Sequence, residues 1–160
     1  MNGLATRTLT SLVLIAVIMS LIWVSALKLG LLLFVCLIAG CALQEFYSFV
    51  RAKDANYCAY AAVPMGILVV ASAYFDQVNY VNAMLIAAGL VVAFVHIIRP
   101  NATMATMLPS LFGLGDVAWN AAHLVLLHST EDTGPALATM LIAAVALSDT
   151  GAYFVGKSIG

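Results

Sequence analysis

The residues best suited to chemistry lie together at the end of the chain, in the run SDTGAYFVGKSIG from Ser148 to Gly160. Ser148, Asp149 and Thr150 supply oxygen atoms, which a hard divalent cation prefers as ligands. Lys157 supplies a point charge that suits a phosphate group. These residue types, packed into thirteen positions, indicate a site that gathers a metal ion and phosphates.

The glycines of the same run support a second interpretation. Gly151, Gly156 and Gly160 leave room for a neighbouring helix or a ligand to approach the backbone closely. The spacing Gly156-x-x-x-Gly160 is typical of contacts between membrane helices, and Lys157 would then anchor the helix end. From the residues alone, a packing motif and a phosphate site remain equally open.

The composition shows what kind of protein must position these residues. The chain is 64% hydrophobic and only 8% charged over 160 residues, whereas a soluble domain is about 25% charged. This balance predicts an all-α, polytopic membrane helix bundle. Six Lys and Arg against seven Asp and Glu give a formal charge of -1, which excludes a broad basic surface for nucleic acid.

The hydrophobic runs divide the chain into about six membrane spans. A helix needs about 20 apolar residues to cross the hydrocarbon core, and short polar segments separate runs of that length. We expect the first run to be a retained span rather than a cleaved signal peptide. The chain is predicted to form a single transmembrane domain, residues 1–160, with spans at residues 9–27, 30–50, 57–75, 80–98, 104–128 and 135–156.

The distribution of positive charge predicts the orientation of these spans. Lys and Arg near span ends are retained in the cytoplasm, and alternate connections divide them five to one. The N-terminus and the chain end are therefore predicted to be cytoplasmic, in a multi-pass protein of a cytoplasmic membrane. Lys28 lies alone on the outer side, and the cytoplasmic side has Arg7, Arg51, Lys53, Arg99 and Lys157.

Three carboxylates fall inside the predicted spans: Glu45, Asp116 and Asp149. A carboxylate at membrane depth is costly unless it is paired, hydrated or protonated. Asp149 lies about two turns before the cytoplasmic end of its span, where water could reach it; the alternative is a packing contact with a neighbouring helix. Asp116 is predicted to cap a helix segment after a break in the fifth span, with a polar cavity as the alternative.

Other chemically active residue types receive structural interpretations. Phe46 and Tyr47 close the second span, as is typical of an aromatic belt at the membrane interface. His96 and His123 have no partner at metal-ligand spacing, which favours structural or interfacial roles. The cysteines lack zinc-site spacing and are predicted to be small buried residues: Cys36, Cys41 and Cys58.

The run S-D-T-G-A-Y-F-V-G-K, residues 148–157, resembles a segment shared by bacterial phosphatidate cytidylyltransferases, also called CDP-diglyceride synthases. In that family the segment commonly reads D-T-G-A-Y-F-x-G-R/K. Weaker agreement comes from Arg7, which leads into an apolar span with Thr8 and Thr10, and from Glu45-Phe46-Tyr47 at the end of the second span. The resemblance covers the whole chain loosely and its last thirteen residues tightly.

The resemblance implies that the phosphate of phosphatidic acid attacks the α-phosphorus of CTP, giving CDP-diacylglycerol and pyrophosphate with Mg²⁺ as the cofactor. It implies that Asp149 is the catalytic organiser of the metal and nucleotide, directly or through water, and that Lys157 contacts phosphate. It also implies a bacterial inner-membrane location, with a homodimer as a candidate assembly. The other residues of the motif that would bind the nucleotide are Ser148, Thr150, Gly151 and Tyr153.

The sequence departs from the family pattern after this motif. Family members continue into a Ser-Pro-Lys-rich loop and further helices, with Lys-Asp, His-Gly-Gly and Asp-Arg-x-x-Asp elements that supply the principal metal ligands. We therefore expect this chain to be an N-terminal portion that is inactive alone. The alternatives are a small transporter or channel module lined by Glu45, Asp116 and Asp149, or a non-catalytic membrane assembly subunit.

Overall fold

The computed structural model describes residues 3–51, 59–99 and 103–159, and all regular elements in these ranges are helical. Three interpreted residues, Lys53, Cys58 and Gly160, lie outside them. The α-helices are α1 Gly3–Trp23, α2 Lys28–Arg51, α3 Ala59–Ser72, α4 Val78–Ile97, α5 Met104–Gly113, α6 Asn120–His128 and α7 Gly134–Ile159. Short 3₁₀ turns span Ser25–Leu27 and Ala73–Phe75, and a π-helical segment spans Leu114–Trp119 between α5 and α6.

Four described helical segments are long and apolar enough to cross a membrane: Lys28–Val50, Val78–Ile97, Met104–His128 and Gly134–Ile159. Shorter apolar helices span Leu9–Trp23 and Tyr60–Phe75. Large apolar side chains cover their surfaces; Leu90 and Phe94 on α4, for example, are 67% and 66% exposed. Such a surface is stable in lipid and not in water, so the prediction of an all-α membrane helix bundle is confirmed.

The chain forms two compact units. Unit 1 comprises residues 1–28 and 127–160, and unit 2 comprises residues 29–126. In unit 1, the end of α1 contacts the first turns of α7, and the buried residues include Ile22 of α1 and Ala138 of α7. The indole Nε1 of Trp23 donates a 3.2 Å hydrogen bond to Thr139 Oγ1, which adds a polar contact to this helix pair.

The core of unit 2 is built around α3, which contacts α4, α5 and the π-helical segment. Small and β-branched residues on α3 allow this close packing, because a helix without long side chains can approach its neighbours. At Gly66 an added Cβ would collide with Leu43 Cδ1 and lie 3.3 Å from the Cβ of Ala118. A larger residue where α3 passes α2 and the π-helical segment would force the Leu43 side chain to shift.

The π-helical segment follows a proline. Pro109 has no N–H to donate to the preceding turn, so the hydrogen-bond ladder of α5 is already interrupted there. The Leu114 N–H then bonds the Leu111 carbonyl, and the Ser110 carbonyl accepts a 2.8 Å hydrogen bond from the Tyr47 hydroxyl instead. A break in the fifth span was expected from its proline and glycines, and it takes the form of a widened turn.

Two interpretations made from the sequence are wrong in this region. Asp116 lies inside the π-helical segment, where the helix continues through it, so it does not cap a helix start. Tyr47 is 1% exposed and does not belong to an aromatic belt, because its hydroxyl finds a carbonyl partner inside unit 2. Phe46 beside it is half-buried and stacks on Phe112, with ring centroids 5.9 Å apart.

The cysteine prediction also needs correction. Cys41 is exposed on α2 and Cys36 is half-buried, so neither is a fully buried core residue. Both lie within the apolar segment Lys28–Val50, where lipid can cover a thiol as well as protein can. The two side chains are free thiols.

Candidate functional site

The candidate site lies on the second half of α7. This helix runs for 26 residues without interruption, from Gly134 to Ile159, and includes the whole described part of the polar run. Alanine, leucine and methionine, which are strong helix formers, dominate its first half. The glycines of the polar run therefore lie within a continuous helix and do not form a phosphate-binding loop.

The helix distributes the predicted ligands over different faces. Successive residues of an α-helix point about 100° apart, so Ser148, Asp149 and Thr150 cannot converge on one ion by themselves. The Thr150 hydroxyl donates a 2.7 Å hydrogen bond to the Ala146 carbonyl, which leaves its oxygen as an acceptor only. Of these three side chains, Asp149 is the one that carries a negative charge for a cation.

Asp149, Tyr153 and Lys157 follow one another at intervals of four residues, which places them along one side of α7. A rise of about 1.5 Å per residue separates the Cα atoms of Asp149 and Lys157 by about 12 Å along the axis. The carboxylate and the ammonium are therefore too far apart for a direct ion pair along the helix. They could contact different parts of one extended, multiply charged ligand.

Every described residue from Ala143 to Ile159 is exposed. A Cβ added at Gly151 or Gly156 would meet no atom of the described chain within 4 Å. The glycines thus make no helix contact among the described residues, and the side of α7 with Asp149 is accessible. Because a bare carboxylate is costly in hydrocarbon, this side requires water, a cation or a polar partner.

The donor set of α7 fits a Mg²⁺ ion held mainly by its substrate. Magnesium in nucleotide enzymes is commonly bound by one or two carboxylates, with water and substrate phosphates completing its coordination. Asp149 can supply one such carboxylate. In the described ranges no group of three or more His, Cys, Asp or Glu side chains could hold a metal ion, so a site made wholly of protein ligands is not formed there.

The other polar residues singled out from the sequence lie in unit 2. Glu45 is exposed on α2, and Asp116 is exposed in the π-helical segment. His96 is buried, with Nε2 3.1 Å from both the Thr103 carbonyl and Thr106 Oγ1. His96 thus joins the end of α4 to the start of α5, which is a structural role of the kind predicted for it.

His123 also has a structural partner. Its Nδ1 lies 2.8 Å from the Trp119 carbonyl, one turn earlier, and its ring lies 4.3 Å from the Trp119 ring. The Trp119 indole donates a 3.0 Å hydrogen bond to Asn82 Oδ1 of α4. These contacts join α4 to the fifth span.

Sequence reasoning missed one histidine. His128 ends α6, and its Nε2 lies 2.8 Å from the Ile22 carbonyl of α1. The sequence offered only a weak signal, a histidine followed by a serine at the end of an apolar run, because its partner is more than one hundred residues away. This residue lies at the opposite end of α7 from Asp149, close to Pro135.

A comparison with protein families matches residues 5–160 to the model described as the cytidylyltransferase family. The match covers nearly the whole chain and includes the described part of the polar run on α7. No curated protein and no solved structure matches the chain.

Proposed function

Because the chain belongs to the cytidylyltransferase family, we propose that it serves the synthesis of CDP-diacylglycerol from CTP and phosphatidic acid. Membership in this family supports CTP-dependent nucleotidyltransferase activity, and the long apolar helices indicate a membrane protein. Phosphatidic acid as the acceptor, Mg²⁺ as the cofactor and phospholipid biosynthesis as the role belong to the proposal, as does a bacterial inner-membrane location.

One observation supports a lipid acceptor above all. The polar run lies within an apolar helix long enough to span the membrane, and every described side chain around Asp149 is exposed. A transferase that acts on two water-soluble substrates would not need its carboxylate at membrane depth, where an unpartnered charge is costly. A lipid phosphate and a nucleotide can meet at such a position, one from the bilayer and the other from water.

The reaction transfers a cytidylyl group. A phosphate oxygen of phosphatidic acid forms a bond to the α-phosphorus of CTP, the bond from that phosphorus to the bridging oxygen breaks, and pyrophosphate leaves. A bound Mg²⁺ would neutralise charge on the triphosphate. Asp149 would hold that ion, directly or through water, and Lys157 would attract a phosphate about 12 Å further along the helix. Both side chains help two anions that repel each other to approach.

The other residues of the motif have supporting roles in this proposal. Ser148 and Thr150 offer hydroxyl oxygens on either side of Asp149, and Gly151 keeps the backbone of α7 open to the nucleotide. Tyr153 is 64% exposed on the same side as Asp149 and Lys157, where its ring and hydroxyl can contact the nucleotide. Each residue would act by binding or orienting a substrate.

The test is CTP-dependent and Mg²⁺-dependent formation of CDP-diacylglycerol by the gene product that contains these 160 residues, in vesicles that contain phosphatidic acid. The expected result is labelled lipid from labelled CTP only when both phosphatidic acid and Mg²⁺ are present. Label in a lipid without added phosphatidic acid would refute that acceptor.

A further inference from the structure

A polar stripe runs along one side of the fifth span, near the middle of its length. It comprises Asp116, Trp119, Asn120 and His123, whose intervals of three and four residues place them on the same side of the helix. The first three are exposed and His123 is half-buried. Asp116 lies about 18 Å along the axis from the start of the 25-residue segment Met104–His128. A carboxylate at this depth is costly in lipid unless a polar group faces it.

Hydrogen bonds within unit 2 determine what the polar stripe still offers to a partner. Asn120 Nδ2 donates a 2.7 Å hydrogen bond to the Asp116 carbonyl, which leaves Oδ1 of Asn120 as an acceptor. His123 Nδ1 lies 2.8 Å from the Trp119 carbonyl, so Nδ1 carries the hydrogen and Nε2 of the neutral ring is an acceptor. Among the described residues, none donates to the Asp116 carboxylate. The stripe therefore presents hydrogen-bond acceptors and one negative charge.

The depth of the polar stripe favours a partner from within the bilayer over an ion from water. Toward the start of the span the same side of the helix is apolar. Leu108 and Phe112, eight and four residues before Asp116, are 59% and 58% exposed. A hydrated ion would have to cross this apolar surface to reach the carboxylate, which is unfavourable. A membrane helix reaches the same depth with its apolar side chains in lipid.

The partner must bring hydrogen-bond donors and positive charge. An arginine guanidinium has five donors and no acceptor, and it suits an ion pair at an interface because it is weakly hydrated. The Cα atoms of Asp116 and Asn120 lie about 6 Å apart along the axis, so one guanidinium can bond both side chains. The hydrogen bond from Trp119 to Asn82 ties the polar stripe to α4 and holds it in place. A second copy of this chain, paired through the same stripe, would bring another carboxylate instead.

We propose that the polar stripe binds a transmembrane helix that presents an arginine side chain at mid-depth. The guanidinium donates to the Asp116 carboxylate and to Oδ1 of Asn120, and the apolar side chains of the two helices pack around this polar contact. The site is independent of the proposed cytidylyltransferase reaction, which uses none of these residues.

The test uses synthetic helices of about 20 residues, mainly leucine, whose central residue is arginine, glutamine or leucine. The purified chain is placed in phosphatidylcholine vesicles, which have no net negative charge to attract the arginine. Förster transfer between dyes on the peptide and on the chain N-terminus measures binding. The arginine peptide should bind about tenfold more tightly than the leucine peptide, as interhelical hydrogen bonds predict. A glutamine peptide that binds as tightly as the arginine peptide would overturn the requirement for charge.

Three variants locate the contact on the chain. Asp116→Asn should remove most of the preference for arginine, and its fold should persist because the carboxylate bonds to no described residue. Asn120→Leu should weaken binding of the arginine peptide about fivefold, as the loss of one net hydrogen bond predicts. The control Glu45→Gln neutralises another exposed carboxylate, on the apolar segment Lys28–Val50, and should change nothing.

Three results would overturn the proposal. The first is equal binding of the arginine and leucine peptides by the unmodified chain. The second is a preference for arginine that survives Asp116→Asn. The third is an equal loss of that preference in Glu45→Gln, since the peptide would then be attracted to any carboxylate in a span.

Discussion

The hydroxyl of Tyr47 donates a 2.8 Å hydrogen bond to the carbonyl of Ser110, and this bond joins α2 to the turn that follows Pro109. Tyr47 is the largest fully buried side chain among the described residues. Its partner is a backbone carbonyl in the turn before the π-helical segment Leu114–Trp119. A side chain of α2 thus donates to the backbone of α5 at the point where the fifth span departs from regular α-helix geometry.

We predict that Tyr47→Phe lowers the free energy of unfolding by about 1 kcal/mol, because it leaves the Ser110 carbonyl with one donor fewer and keeps the ring in place. Reversible unfolding in mixed micelles measures the change. Tyr74→Phe serves as the control, since Tyr74 is 51% exposed, and it should be neutral. Equal stability of the Tyr47 and Tyr74 variants would show that the bond contributes nothing.

Gly66→Ala should destabilise unit 2 by about 1–3 kcal/mol, the usual cost of overpacking. The added methyl group collides with Leu43 Cδ1 and lies 3.3 Å from the Ala118 Cβ. Leu43 is 0% exposed, so its side chain would have to shift within a packed core. The matched variant is Gly115→Ala, where nothing lies within 4 Å of the added Cβ and the backbone is not left-handed. That variant should be neutral or slightly stabilising, measured by the same unfolding assay. A neutral Gly66→Ala would mean that α3 is not closely packed at this point.

Asp149→Asn should reduce CDP-diacylglycerol synthesis by about 100-fold or more in the full-length gene product, since removing one charged group from a transition-state site commonly has that effect. The amide keeps the shape of the side chain but not its charge for a cation. Initial rates at saturating CTP and Mg²⁺ measure the loss. The control is Asp76→Asn, in the left-handed turn before α4, where asparagine is equally well accommodated. Turnover that survives Asp149→Asn would remove this residue from the site.

Lys157→Met should raise the KM for a phosphate-bearing substrate about tenfold and leave kcat much less affected, because a point charge mainly attracts and holds phosphate. Lys157→Arg keeps the charge and should restore most of the affinity. Measuring KM separately for CTP and for phosphatidic acid shows which phosphate Lys157 contacts. If all three proteins have the same KM for both substrates, Lys157 serves only as a topology anchor.

The hydrophobic runs were sufficient to predict the helical membrane fold. A chain in lipid must pair its backbone N–H and C=O groups within the protein, and few structures do so. The segment 148–157 was sufficient to predict the family, since its polar residues stand out against apolar neighbours. The placement of Tyr47 could not be predicted in this way. An aromatic residue near a span end fits an interfacial belt and a buried core equally well. The partner of Tyr47, the Ser110 carbonyl, lies on another helix 63 residues away in the sequence.

The same limit applies to a small pocket at the start of α7. Its lining residues come from two distant stretches of the chain, 22–28 and 128–135, which meet only when α1 contacts α7. Gly134 shows how tight this region is, because a Cβ there would strike the His128 carbonyl. Helical periodicity describes neighbours one turn apart, whereas these contacts depend on tertiary packing.

The π-helical segment has a further consequence for how such proteins change. Relative to an α-helix, one wide turn accommodates one additional residue, so everything after it is rotated by about 100° with almost no change in length. Trp119, the last residue of the segment, donates its hydrogen bond to Asn82 in this rotated setting. We expect that deleting a single residue between Leu114 and Trp119 would restore an ordinary helix and turn the residues after it toward new neighbours. An insertion or deletion of one codon is enough to redirect half a membrane helix.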